Sequence, residues 1–165
     1  MPDKETIEKA REDKREGKSA STQAGEFVKA EMDKIRKGEH GASSAKQAIA
    51  IGLSEARRAG VDLPPPKTGK ARTKKSAKYA YDVGQGKRKA THRPKVARAA
   101  KENLKEEPHS AATHRALSRQ ARKAAKKRSA ASRSASARKA ARTKGAAGRS
   151  RAAKKAARTR AGRKR

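Results

Sequence analysis

The last third of the chain, residues 108–165, constrains its fold more than any other part. These 58 residues contain 21 Lys and Arg and no Asp or Glu. Ala fills 19 further positions and Ser fills 7, so bulky apolar side chains are almost absent. A long segment of one charge sign repels itself when compact, and it buries too little apolar surface to offset the lost chain entropy. The composition therefore predicts that this segment does not form a globular domain.

The charge is divided unevenly along the chain. The formal net charge is +32, of which residues 1–63 carry +1 and residues 64–165 carry +31. Nine large apolar residues lie between Ser21 and Leu63, and only six lie in the 102 residues after Leu63. Because a packed core needs such residues, any core is expected in the N-terminal part.

We therefore predict a mostly α protein, in which a small N-terminal helical hairpin is followed by a largely disordered or transiently helical polybasic tail. The expected segments are a charged lead-in helix at 1–20, a helical hairpin head at 21–63, a Pro/Gly/Lys-rich linker at 64–94, basic helices at 95–129 and a low-complexity Ala/Lys/Arg tail at 130–165.

The first helix of the hairpin is predicted from its end signals and its apolar spacing. Ser21 or Thr22 is expected to cap it, and Gly38 is expected to end it after Lys37. Between these residues the apolar side chains recur at helical spacing, so one face is expected to pack.

The second helix has clear signals at both ends. Ser44 and Gln47 have the spacing of a capping box, in which two side chains satisfy free backbone N–H groups. Arg57 and Arg58 lie in the expected last turn, and Gly60 follows as a left-handed stop. The apolar residues between these signals recur along one helix face, so the two helices are expected to pack together.

Part of this head resembles a known domain family. The likeness is carried by Glu26–Val28, Met32, Gly38–His40 and Ser44–Gly60, and the run Lys-Gln-Ala-Ile-Ala-Ile at Lys46–Ile51 is its most specific part. These residues are similar to a small bacterial domain family of unknown function. The resemblance implies a bacterial source and a helical head, and it transfers no catalytic residue.

Three prolines, Pro64–Pro66, favour an extended spacer after the head. Residues 67–94 are basic and interrupted by glycines, so they are expected to be mostly irregular. Tyr79 and Tyr81 lie among lysines, where aromatic rings can stack on exposed bases. The alternative is a local apolar contact of these rings with Val83.

The basic tail is repetitive. Cationic blocks at Arg122–Arg128, Arg138–Lys144 and Lys154–Arg160 follow one another at a step of 16 residues. Small-residue spacers, Ser129–Ser132 and Gly145–Gly148, separate them. This arrangement resembles the Lys/Ala-rich tails of bacterial histone H1-like proteins and eukaryotic linker histones. The resemblance implies binding and compaction of DNA.

A polycation of this kind lowers its free energy by contact with a polyanion, and nucleic acid is the most abundant polyanion in cells. The predicted partner is duplex DNA, bound through its phosphates without sequence preference. The residues expected to make these contacts are Arg115, Arg119, Arg122, Lys123, Lys126, Lys127, Arg128, Arg133, Arg138, Lys139, Arg142, Lys144, Arg149, Arg151, Lys154, Lys155, Arg158, Arg160, Arg163, Lys164 and Arg165.

Enzyme motifs do not emerge from the sequence. The chain has no Cys, and its four His residues lack metal-ligand spacing. The segment Gly84–Lys87 lacks the full phosphate-loop pattern, and no strand is expected before it. We therefore expect no enzymatic activity, no metal and no cofactor.

Membrane insertion is not expected, because no apolar run approaches the roughly 20 residues of a membrane span. A polybasic tail also attracts anionic lipid, but this one has almost no bulky apolar anchors. The expected location is the cytoplasm, at the nucleoid.

Two further functions are consistent with the sequence. The same charges, together with Tyr79 and Tyr81, suit an RNA-binding or ribosome-assembly protein. Alternatively, the head is a protein-interaction module that self-associates or binds another protein, and the tail is only a nonspecific polyanion tether. The sequence leaves open the choice between DNA and RNA, the oligomeric state and modification of the tail.

Overall fold

The structure is a computed structural model, and it describes residues 3–91 and 93–162. Over these ranges the protein is all-α and has no strand. Its elements are α1 (Lys4–Arg15), α2 (Ala20–Lys37), α3 (Ala45–Arg58), α4 (Ala71–Gly84), α5 (Pro94–Glu106), a 3-10 turn (His109–Ala112), α6 (His114–Lys126) and α7 (Ala130–Gly162). The chain divides into two compact units, Met1–Gln120 and Ala121–Arg165.

The hairpin predicted for the head is formed by α2 and α3, which pack against each other. Helix α2 begins at Ala20 after Ser19, slightly before the expected caps. It ends at Gly38, whose φ of 79° is left-handed as predicted. At Gly52 of α3 an added Cβ would lie 2.7 Å from the Cα of Val28 on α2, so only glycine permits this close approach.

The predicted caps of α3 are confirmed. The Ser44 hydroxyl accepts a hydrogen bond from the backbone N–H of Gln47 at 3.2 Å. The Gln47 side chain reaches back one residue further than in a standard capping box and accepts from the Ser43 N–H at 3.0 Å. At the other end Gly60 has a φ of 89°, and the Val61 N–H donates to the Ala56 carbonyl at 3.1 Å. The chain therefore folds back over the last turn.

The core of the first unit consists of two apolar clusters, and it is larger than the hairpin. One cluster joins Phe27 and Ala56 to Ala10 of α1 and to Val61. The other contains Met32, Ile35, Ala42, Ala48, Ala111 and Ala112, with Leu117 of α6 packed against it. The lead-in helix and the 3-10 turn thus contribute core residues, because small alanines allow close packing where bulky residues are scarce.

The prediction of a mostly irregular segment at 64–94 is wrong, because α4 occupies Ala71–Gly84. Helix α4 packs on α3, and its buried residues are Ala77 and Ala80. An added Cβ at Gly84 would lie 1.7 Å from the carbonyl oxygen of Arg57. The helix therefore docks through small side chains, a contact that a search for bulky apolar residues does not detect.

The prediction of a largely disordered or transiently helical tail is also wrong, because α7 spans Ala130–Gly162. Thirteen of these residues are Ala, and Lys and Arg are also strong helix formers. Only the pairs Arg138–Arg142, Arg151–Lys155 and Lys154–Arg158 place like charges four residues apart. Each such pair costs only about 0.2–0.5 kcal/mol, so the repulsion is too small to prevent the helix.

Helix α7 is interrupted at one residue, Gly145. Its φ of 63° and ψ of 178° are non-helical and lie in a region that is essentially restricted to glycine. The interruption follows directly after Lys144, the last residue of the second cationic block. The first block likewise ends at Arg128, between α6 and α7, so each copy of the repeat has its own helical segment.

Among the described residues, no helix combines the length and the apolar character that crossing a membrane requires.

Candidate nucleic-acid interface

The predicted nucleic-acid contacts fall on two helices and the link between them. Helix α6 carries Arg115, Arg119, Arg122, Lys123 and Lys126. The link holds Lys127 and Arg128, and α7 carries Arg133, Arg138, Lys139, Arg142, Lys144, Arg149, Arg151, Lys154, Lys155, Arg158 and Arg160. These cations are all exposed. The predicted contacts Arg163, Lys164 and Arg165 lie outside the described residues.

Helix α6 presents its cations on one side. Relative to Arg115, the others follow at i+4, i+7, i+8 and i+11 (Arg119, Arg122, Lys123 and Lys126). At about 100° per residue, these five positions fall within an arc of roughly 100°. Leu117 lies on the opposite side of the helix and packs against the core. Burial of this apolar residue therefore turns the cationic side outward.

The first turn of α6 is stabilised by hydrogen bonds of the Thr113 side chain, which directly precedes the helix. The Thr113 hydroxyl accepts a hydrogen bond from the Ala116 N–H at 3.3 Å and donates to the Ser110 carbonyl at 2.8 Å. This hydroxyl thereby occupies one of the free N–H groups in the first turn. Arg115 and Arg119 are therefore presented by a capped helix and not by a flexible strand of chain.

Helix α7 presents cations without acidic neighbours, because residues 108–165 contain no Asp or Glu. Alanines separate the cationic blocks and keep the helix surface narrow. The absence of bulky side chains lets the helix approach a phosphate backbone closely. Each cation can thus lie near a phosphate without displacing an existing ion pair within this segment.

Two arginines form hydrogen bonds near the start of α7 and across its interruption at Gly145. The Arg128 guanidinium donates to the Ser132 carbonyl at 2.9 Å and also contacts the Ser132 and Ser136 hydroxyls. The Arg149 guanidinium donates to the Ala141 carbonyl at 2.7 Å across the interruption. A guanidinium has five N–H donors, so both side chains retain donors and charge for a phosphate.

Both tyrosines considered for base stacking lie on α4. The Tyr79 hydroxyl accepts from the Thr91 N–H at 2.7 Å, which lowers the Tyr79 pKa. The Tyr81 hydroxyl donates to Asp62 at 2.6 Å, and this bond raises the Tyr81 pKa.

Cations of the loop after α4 cover these rings. The Arg88 guanidinium lies 4.9 Å from the Tyr79 ring centroid, and the Lys87 ammonium lies 5.8 Å from that of Tyr81. The rings are therefore held within the first unit, and base stacking on them stays a prediction.

Two features of the structure are absent from the sequence-based predictions. The single-sided spacing of the α6 cations was present in the sequence, as a series at i, i+4, i+7, i+8 and i+11. The second feature is Glu31, whose side chain is only 2% exposed and lies 3.6 Å from the His40 ring (Oε2 to Nε2). No local pattern marks Glu31 as buried, because its environment is formed by the folded hairpin.

The described residues hold no group of three or more His, Cys, Asp or Glu that could bind a metal ion. The arrangement of charged groups in α6 and α7 instead suits a polyanion, which is bound by many weak contacts.

Similarity to a known protein family is found in the N-terminal part of the chain and not in α6 or α7. No curated protein and no solved structure matches the chain. Residues 13–68 match the "Family of unknown function (DUF6496)". The matched range contains α2 and α3, and it includes every residue on which the resemblance to a domain of unknown function rests. Over about a third of its length, this chain is thus similar to that family, and the match ends before α6 and α7.

Proposed function

We propose that this protein is a DNA-binding protein of the bacterial nucleoid, of the histone H1-like type, that neutralises and compacts duplex DNA without sequence preference. The observation that carries the proposal is the set of exposed, acid-free cations on α6 and α7. The protein acts by binding and not by catalysis.

The charge on these helices is sufficient for substantial binding. Duplex DNA carries one negative charge per about 1.7 Å of axis, so the 21 cations of residues 108–165 together match roughly ten base pairs. With about ten real phosphate contacts, the logarithm of the binding constant would fall with the logarithm of salt at a slope near −9. Binding is therefore expected to be tight at low salt and weak at several hundred millimolar salt.

Low sequence preference follows from the side chains that α7 offers. Sequence is read by side chains that hydrogen-bond base edges, such as Asn and Gln, or by Arg held in a fixed geometry. Between Ala130 and Gly162, the helix offers only Ala, Ser, Thr, Gly, Lys and Arg. Its cations do not all lie on the same side of the helix. Phosphate contacts from such a surface position the protein but do not discriminate bases.

One observation supports a role of the head in binding another molecule. A groove of about 660 Å³ lies between α5 and the hairpin. Its lining is apolar at Ile51, Ala100 and Leu104, and it also contains charged side chains of both signs, among them Glu31, Glu55, Lys34, Lys101 and Lys105. Grooves of this volume are within the range that accommodates ligands. The head is therefore a candidate interaction module, with the tail as a tether.

An electrophoretic shift assay at increasing salt tests the proposed function. The substrates are duplex DNA of two unrelated sequences and a structured RNA. The protein lacking residues 121–165 is the control, because both core clusters lie before residue 121.

We expect strong, salt-sensitive binding to both duplexes that is largely lost on deletion. Unchanged binding after deletion would refute the proposal. Preference for the RNA would favour an RNA-binding or ribosome-assembly role. Absence of any nucleic-acid binding would leave the interaction module as the function.

A further inference from the structure

Within each half of α7, before and after Gly145, the cations lie on two opposite sides of the helix, unlike those of α6. In the first half, up to Lys144, Arg138, Lys139 and Arg142 form one group. At about 100° per residue, this group is centred roughly 180° from the direction shared by Arg133 and Lys144. All five side chains are exposed.

The half of α7 after Gly145 has the same arrangement, because the repeat step carries each cation onto a counterpart. One side consists of Arg151, Lys154, Lys155 and Arg158, and the opposite side consists of Arg149 and Arg160. We call the first group of each half the wide side (Arg138, Lys139, Arg142, Arg151, Lys154, Lys155 and Arg158). We call the second the narrow side (Arg133, Lys144, Arg149 and Arg160).

A half of α7 that lies on one duplex can place only one of its two sides against the phosphates. The other side of that half then faces solvent with two or more cations. No acid between residues 108 and 165 can neutralise them. The free energy of the complex falls further when that side meets a second polyanion, because counterions are released again.

We propose that each half of α7 bridges two DNA duplexes, with the wide side of that half on one duplex and its narrow side on the other. This inference depends on the proposed DNA binding and adds a specific route to compaction. A helix is about 10–12 Å across with its side chains, so the two duplexes would lie side by side with only one helix between them. Helix α6, whose cations occupy one side, would hold a single duplex.

Two variants with the same net charge separate bridging from binding. The first removes the narrow side by R133Q, K144Q, R149Q and R160Q. The matched control removes four cations of the wide side by R138Q, R142Q, K154Q and R158Q, and it leaves Lys139, Arg151 and Lys155 there. Gln has nearly the helix propensity of Lys and Arg, so both variants are expected to keep α7, which circular dichroism checks.

Fluorescence anisotropy measures binding to one labelled duplex. A bridging assay then measures how much labelled duplex is captured by bead-bound unlabelled duplex, at matched occupancy. We expect the narrow-side variant to bind a single duplex nearly as tightly as the unmodified protein, and the matched control to bind it more weakly because it loses four contacts of the wide side. Capture should fall more than about tenfold for the narrow-side variant, because in each half the second duplex loses both of its contacts. The matched control should retain much of its capture.

Equal losses of capture in the two variants would overturn the inference, since total charge alone would then explain bridging. Full capture by the narrow-side variant would overturn it as well. If the unmodified protein binds duplex DNA but captures none, only the bridging inference fails. If the unmodified protein binds no duplex, the proposed function fails with it.

Discussion

At the scale of single residues, Glu31 is the most unusual group in the first unit. Its side chain is 2% exposed, and its Oε1 atom has no hydrogen-bond partner among the described residues. Burial raises the pKa of the Glu31 carboxyl, while the nearby His40 acts in the opposite direction. A carboxylate in this position costs free energy, because it has lost water without gaining full compensation.

This burial predicts a specific pH dependence. The folded protein holds the Glu31 proton to higher pH than the unfolded chain, whose carboxyl has an ordinary pKa of 4.5. The contribution of Glu31 to stability is therefore most favourable below pH 4.5 and is lost as pH rises through the folded-state pKa. We expect Glu31→Gln to remove this loss and to stabilise the protein by about 1 kcal/mol at pH 8, with little effect near pH 4.

Urea denaturation followed by circular dichroism at both pH values measures this difference. Glu12→Gln is the control, because Glu12 is exposed on α1 and should change stability little at either pH. A Glu31→Gln variant that is less stable at pH 8 would contradict the prediction. That result would mean that neighbouring positive charge, such as that of Lys34, stabilises the ionised carboxylate more than burial destabilises it.

At the scale of helices, the hairpin could be predicted from sequence but α4 and α7 could not. The limits of α3 follow from local chemistry, in the cap at Ser44 and the left-handed Gly60, and local chemistry is visible in a sequence. Helix α4 instead depends on the close approach of Gly84 to Arg57, which the tertiary fold creates. For α7, the prediction of disorder gave too much weight to charge repulsion. It gave too little weight to the high helix propensity of alanine.

The interruption of α7 gives a prediction at this scale. Gly145→Ala should exclude the observed backbone conformation, because a φ of 63° with a ψ of 178° is strained for a residue with a Cβ. The variant is expected to form one continuous helix, and its mean-residue ellipticity at 222 nm should become more negative than Ala propensity alone explains.

Gly148→Ala is the matched control for Gly145→Ala. Gly148 lies in the same helix, and an added Cβ there would meet only the Lys144 Cβ at an ordinary 3.5 Å. It gains the same propensity, about 1 kcal/mol, without any change of backbone conformation. Equal ellipticity in the two variants would show that Gly145 does not interrupt the helix in solution.

At the scale of the whole molecule, the uneven charge determines how the protein responds to salt. The net charge is +32, and +31 of it lies after residue 63. At low ionic strength the like charges on α7 oppose its helix, and salt screens them over a Debye length of about 8–10 Å. The same salt weakens attraction to DNA.

We therefore expect opposite effects of salt on the free protein and on its complex. Raising sodium chloride from 20 to 500 mM should increase the helix content of the free protein, measured at 222 nm, while it releases bound duplex. The protein lacking residues 121–165 should show a much smaller change in helix content. A loss of helix with added salt would contradict this prediction, because α7 contains no acid whose attraction to a cation salt could weaken.

The exposure of the candidate cations was easier to predict than the fold. Every cation assigned from sequence that the structure describes is exposed, because a Lys or Arg without an acidic partner is costly to bury. Whether these cations lie on one side of a helix, as in α6, or on two, as in α7, depends on where each helix begins and ends. Those limits depend on Thr113, Arg128 and Gly145, and composition alone does not indicate them.

The position of Gly145 also bears on how such a tail can change in length. Because a helix boundary follows each of the first two cationic blocks, at Arg128 and at Gly145, one copy of the repeat is a self-contained structural module. Insertion or loss of a 16-residue copy at such a boundary would leave the remaining modules with their own registers intact. The number of copies, and with it the number of cations, could therefore change without a change in the folded N-terminal unit.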